Sequence, residues 1–189
     1  RIQAKFIKPT IFMVNKPKGF TCSNDDPHAE RLIFELLETR HRNIRLFCAG
    51  RLDLESEGLV ILTNDGKLAH RLTHPSQKVR KKYKVEINQP LEQDAFQAML
   101  AGFEDDGDFL QLDEIRAKAG NPVGSTKLEI TMGHGKKREI RRCMGRYRYK
   151  VKKLRRTSIG GLRLGKLPLG TYRDLKDSEI DLLFPKQIS

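Results

Sequence analysis

Gly50-Arg51-Leu52-Asp53-Leu54-Glu55-Ser56-Glu57-Gly58 runs directly into Leu59-Val60-Ile61-Leu62, and Asn64-Asp65-Gly66 closes the stretch. The four apolar residues have the length and continuity of a strand buried on both faces. Asn64-Asp65-Gly66 is turn chemistry, and Lys67 to Leu72 reads as a short helix behind it. A loop rich in acids therefore feeds a core strand. Upstream, the apolar run Ile11 to Val14 is a second strand, ended by Lys16-Pro17-Lys18-Gly19. Leu32, Ile33, Leu36 and Leu37 form one helical stripe, which predicts a helix within residues 29 to 38. Downstream, Tyr83, Val85 and Ile87 alternate with Lys84 and Glu86 as in a half-buried strand. Leu91 to Leu100 carries helical spacing and stops at Gly102. Leu128, Ile130 and Met132 alternate again, and residues 136 to 144 read as a short helix. Val151 to Leu154, Leu162 to Leu164 and Thr171 to Arg173 are further strands. Asp177 is placed to cap a last helix with Ile180, Leu182 and Leu183. Strands and helices intermix without regular βαβ spacing, so the expected class is α+β with a largely antiparallel sheet.

The 189 residues include 37 Lys and Arg against 24 Asp and Glu, a net charge of +13. An excess of that size draws polyanions, nucleic acid first and an anionic membrane second. Basic residues are dense over 134 to 166; acids collect at 104 to 114 and 174 to 181. No stretch has transmembrane length, and no amphipathic segment joins a cationic face to a large apolar one, so no membrane partner is expected. Cys22, Cys48 and Cys143 form no CxxC pair. That argues against a disulfide framework or a structural zinc site and fits a reducing cytoplasm.

Three elements carry chemistry. Asp53 lies in the loop before the buried strand; alone, it would be a solvated turn acid. Gly135-Lys136-Lys137-Arg138-Glu139-Ile140-Arg141-Arg142 is the second. At roughly 100° per residue on a helix, Arg138, Arg141 and Arg142 share one sector, and Ile140, Cys143 and Met144 share the opposite one. Such a helix buries one face and offers an arginine comb on the other. One arginine could pair with Asp53 while the others meet phosphates, because the guanidinium fork grips oxygens bidentately and keeps its charge. Tyr83, the third, follows Arg80-Lys81-Lys82 at the start of a strand. A core role and a base-stacking role are both open to it.

These residues carry a resemblance. Asn15-Lys16-Pro17-Lys18-Gly19, Gly50-Arg51-Leu52-Asp53, Ser56-Glu57-Gly58-Leu59, Lys82-Tyr83-Lys84-Val85, Lys137 to Arg142, Lys153-Leu154-Arg155-Arg156 and Leu167 to Arg173 occur in the order found in the RsuA/RluB/RluE/RluF family of ribosomal-RNA pseudouridine synthases. The resemblance spans roughly residues 11 to 184. It implies a mostly antiparallel mixed sheet flanked by helices, with a basic central cleft. It also implies a single catalytic domain over 1–189, in two sublobes of roughly 1–75 and 76–189. Asp53 matches the essential aspartate, Tyr83 the tyrosine that stacks on the target base, and Arg141 the basic residue that salt-bridges the aspartate. Arg51 matches an arginine that helps fill the gap left by the flipped base. Lys16, Lys82, Arg138 and Arg142 are the further expected RNA contacts. Glu139 departs from the pattern, standing where relatives usually have Gln; it is expected to pair with a neighbouring arginine or to weaken RNA contact. Arg148 stands where relatives often have a turn glycine. About ten residues precede the first strand, so the small N-terminal RNA-binding domain of many members is expected to be absent or removed.

The implied reaction detaches uracil from its sugar, turns it and rejoins it through carbon. It imports no electron or group, so no cofactor and no metal are expected. It needs an ionised carboxylate that attacks the sugar or takes a proton from it. Burial opposes that charge, and a neighbouring arginine restores it. The target nucleotide must leave its stack, at a few kcal/mol. The expected partner is ribosomal RNA or a pre-ribosomal particle, with Lys153 to Gly161 and Gly170 to Arg173 leaning toward the small-subunit enzymes, and the expected state is a monomer. The rival reading is a non-catalytic RNA-binding or ribosome-assembly module, which would have no need for the acid.

Overall fold

A computed structural model describes residues 8–24 and 26–186. Residues 1–7, and with them the expectation about an N-terminal domain, lie outside the described residues. In chain order the elements are β1 Ile11–Lys16, α1 Thr39–Arg42, β2 Phe47–Ala49, β3 Glu57–Thr63, α2 Gly66–Thr73, β4 Lys81–Ile87, α3 Gln93–Ala101, β5 Phe103–Asp105, β6 Asp108–Leu110, β7 Glu114–Arg116, β8 Lys127–Met132, α4 Glu139–Arg146, β9 Val151–Ile159, β10 Leu162–Arg163, β11 Tyr172–Asp174 and α5 Asp177–Leu182. One continuous sheet runs β11-β1-β3-β9-β4-β8-β7, with β2 beside β3 and β10 beside β9; β5 and β6 form a separate hairpin. Its pairs are antiparallel except β3 with β9. The α+β class and the mixed, mostly antiparallel sheet are as expected.

The apolar run at 59–62 behaves as its composition requires. Leu59 and Ile61 face one core with Ile11 and Met13, against α2 and the C-terminal residues Leu162, Leu164, Leu175 and Leu183. Val60 and Leu62 face another with Phe12, Val14, Ile33 and Leu37. A third core lies between the β4-β8-β9 sheet and helices α3 and α4, around Val85, Met99, Ile130, Cys143 and Leu154. The sublobe boundary differs from the expected one. Residues 159–184 return to the first half, where β11 pairs with β1, because their leucines complete that core.

The two halves join where Gly58 of β3 lies opposite Arg156 of β9. Gly58 has φ +114°, and a Cβ there would sit 2.2 Å from the Arg156 carbonyl oxygen. Only glycine permits this approach, and the crevice that holds the site opens beside it.

Several expectations shift. The stripe at 29–38 forms only a 3-10 turn, Ile33–Leu36, followed by extended Leu37 and then α1. One tight turn is enough to bury Ile33 and Leu37. Helix α4 starts at Glu139 because Arg138 takes a left-handed conformation, φ +54°. Asp177 is the first helical residue of α5, not its cap. Arg148 itself adopts φ +65°, in keeping with a turn position that suits glycine. The β5-β6 hairpin went unread, although Asp106-Gly107 at its tip, φ +46° and +83°, is a hairpin-turn pair.

Candidate active site

Asp53 is held by its loop rather than by a regular element. The Ser56 N–H donates to the Asp53 carbonyl at 3.0 Å, and the Gly19 N–H donates to the Leu54 carbonyl at 2.9 Å. Lys16 lies beneath, fully buried. Its ammonium donates to the carbonyls of Pro17 (3.0 Å) and Phe20 (2.9 Å), with Leu54 O at 3.5 Å. Lys16 is thus a cross-brace between two loops and is not placed to meet RNA. Desolvation lowers its pKa from the ordinary lysine value.

Above the loop, the start of α4 presents two arginines to two carboxylates. Arg138 Nη1 donates to Glu55 Oε2 at 2.7 Å and stands 3.9 Å from Asp53 Oδ2. Arg141 Nη2 donates to the buried Ser56 hydroxyl at 3.1 Å, and its Nε lies 3.8 Å from Glu55. The ion pair expected between Arg141 and Asp53 is not formed within 4.0 Å. Glu55, two residues along the same loop, takes the nearest guanidinium contacts instead. Its hydrogen bond with Arg138 holds the Glu55 carboxyl below its ordinary range. Asp53 is left 34% exposed, with a cation at ion-pair distance and no carboxylate hydrogen bond from it. Such a group is accessible to a substrate.

The arginine comb divides. Arg142 turns away from the crevice and bonds Asp105 Oδ2 and Asp108 Oδ2, both at 2.9 Å, and the Asp105 carbonyl at 2.8 Å. It anchors the β5-β6 hairpin to α4, so those acids occupy the fork expected to meet RNA. Glu139 pairs with no arginine. It is buried at the start of α4, accepting from the N–H groups of Gln111 and Lys136 at 2.9 Å and lying 3.2 Å from His134 Nε2. A helix N-terminus is the favoured place for such a carboxylate.

Asp53, Arg51, Tyr83 and Arg141 line one cavity of about 840 Å³, which Lys136 and Arg138 help to rim. That volume accommodates a nucleotide. Tyr83 is half-buried on its wall, between two of the apolar cores, and Arg51 is exposed at the mouth. Lys82 points to the other face of the sheet, toward Glu129 at 3.8 Å, in a separate groove. Side chains alternate along a strand, so the lysine sharing the face of Tyr83 is Lys81, which lines the cavity. Arg156 lines it too. That side chain is buried, its Nε donates to the Leu59 carbonyl at 2.8 Å, and its Nη2 has no partner. Lys81 and Arg156 escaped the sequence reading, though the two-residue spacing to Tyr83 could have found the first. Cys22 and Cys48 form a thiol pair in the same wall; their mutual hydrogen bond pulls Cys22 down and pushes Cys48 up.

A family model described as RNA pseudouridylate synthase matches residues 10–145, a span that includes the Asp53 loop, Tyr83 and Arg141. The chain belongs to this family. It is therefore an isomerase that acts on RNA, and the reading as a mere binding module falls away. An RNA pseudouridine synthase of Aquifex aeolicus, itself uncharacterized, is 36% identical over 187 residues, covering 97% of this chain and 74% of that one. Ribosomal small subunit pseudouridine synthase A of Escherichia coli is 32% identical over 173 residues, covering 91% and 73%. A crystal structure of a pseudouridylate synthase superposes with a TM-score of 0.82 at 31% identity, covering 94% of this chain and 75% of that one. A chain from an H/ACA RNP bound to a substrate RNA shares the fold at a TM-score of 0.58 and 13% identity, covering 82% and 48%.

Proposed function

We propose that this pseudouridine synthase converts a uridine of ribosomal RNA, in the cytoplasm and as a monomer, with Asp53 as the group that acts on the sugar. The observation that carries the reading is the cavity of about 840 Å³, in which the Asp53 carboxylate and the Tyr83 ring share one basic enclosure. The flipped nucleotide enters there, Tyr83 stacks on its base, and Arg51 at the mouth helps fill the vacated position in the RNA. Arg138 at 3.9 Å sets a positive charge beside the Asp53 carboxylate, while Arg141 fixes the loop through Ser56 and Glu55. Lys136 and Lys137 beside them offer phosphate contacts. The name of the E. coli relative and the two C-terminal stretches favour small-subunit RNA.

Asp53→Asn keeps size and polarity but can neither attack nor take a proton. It is expected to abolish pseudouridine formation on small-subunit rRNA transcripts while leaving salt-dependent RNA binding intact. Turnover retained in that variant removes Asp53 from the role. Conversion confined to large-subunit transcripts moves the substrate.

A further inference from the structure

The reaction leaves one proton unaccounted for. When the C1′–N1 bond breaks, its electron pair stays with the uracil ring. The ring turns, and C5 forms the new bond to C1′. C5 then holds both the sugar and its original hydrogen, so that hydrogen must leave as a proton while N1 gains one. We propose that Lys81 is the base that takes the C5 proton, and that the resulting ammonium returns a proton to N1. No oxidant or co-reactant enters. The proposal rests on the reading of the Asp53 cavity as the uridine site.

Lys81 is on the strand face of Tyr83, two residues before it, in the wall of that cavity. Its cross-strand neighbours are the apolar Met132 and Ile159. Among the described residues no carboxylate lies within 4.0 Å of its amine and no hydrogen bond engages it, whereas the two histidines of the cavity are both engaged. His74 is bonded to Ser76 at 2.6 Å, and His134 meets Glu139 at 3.2 Å. Arg138, Arg141 and Arg156 keep their protons and cannot serve. The buried Arg156 beside Lys81 plays a different part. Its Nη2 is buried without a partner, a donor that a carbonyl oxygen of the detached, electron-rich ring would satisfy. Burial and the Arg156 charge bring the Lys81 pKa to about 8, so neutral amine is present near physiological pH.

The test compares rRNA transcripts carrying uridine, 5-deuterated uridine and 5-fluorouridine. With fluorine at C5, cleavage and rejoining need no proton removal from that carbon. Lys81→Met is expected to slow pseudouridine formation by about 10²–10⁴-fold, to raise the deuterium effect above that of the wild type, and to rearrange 5-fluorouridine at the wild-type rate. Lys81→Arg, which keeps the charge but accepts no proton, is expected to behave like Lys81→Met. Asp53→Asn fails on all three RNAs, so loss of the uridine site and loss of the base are told apart. Equal slowing of uridine and 5-fluorouridine by Lys81→Met, an unchanged deuterium effect, or restoration by Lys81→Arg overturns the proposal.

Discussion

Two lysines, one fully buried and one half-buried, serve opposite ends. Lys16 lies under the Asp53 loop with its ammonium ringed by backbone carbonyls. Lys81 lines the cleft on the other side with apolar cross-strand neighbours and an arginine nearby, and no acceptor of its own among the described residues. Burial lowers the pKa of both. The difference is what the protein does with the charge. Ligated by carbonyls, it fastens two loops; left unligated in a cavity, it is a cost to the fold that only a substrate or a reaction offsets.

The joint between the two regions is the place to break both at once. Gly58→Ala puts a Cβ against the Arg156 backbone at a left-handed residue. A loss of roughly 2–6 kcal/mol in urea unfolding is expected from backbone strain and overpacking together. Activity should fall with it, because β3 and β9 position opposite walls of the cleft. Next in size, Lys16→Met strands carbonyls that the ammonium now satisfies, and a loss of about 1–3 kcal/mol is expected in the same assay. RNA affinity should hold, since Lys16 reaches no surface; weakened binding in a folded Lys16→Met protein would return it to the RNA interface. Smallest is the pH response of Lys81. Its folded pKa, about 8, lies below its ordinary value of 10.5, so between those limits the unfolded chain binds more protons. Stability contributed by this group therefore rises with pH from about 8 to about 10.5. Lys81→Met should flatten that part of the stability–pH curve relative to the wild type, and identical curves would show that the amine is not desolvated.

Much of the site was legible because the relevant patterns are local. The acid in Gly50-Arg51-Leu52-Asp53 and the tyrosine opening a strand could be marked from the residues alone, and their likeness to a family supplied roles. The arginines were less legible. A helical wheel set Arg138, Arg141 and Arg142 in one sector, but it could not register that Arg138 is left-handed and outside the helix, nor that an acidic hairpin captures Arg142. The expected contact Lys82 faces the other groove, and strand alternation puts Lys81, two residues before Tyr83, on the cavity side.

Sequence by itself determined the buried strand β3, the α+β class, the cationic excess and the family resemblance, because these follow from periodicity, charge and a short ordered set of motifs. Tertiary structure alone decided which cation meets which anion. Glu55 rather than Asp53 receives the shortest guanidinium contact, Arg156 of a distant strand reaches the cavity, and residues 159–184 return to the first core. Coulombic and hydrogen-bond partners are settled by ångström-scale distances between segments far apart in the chain, and no local pattern encodes those distances.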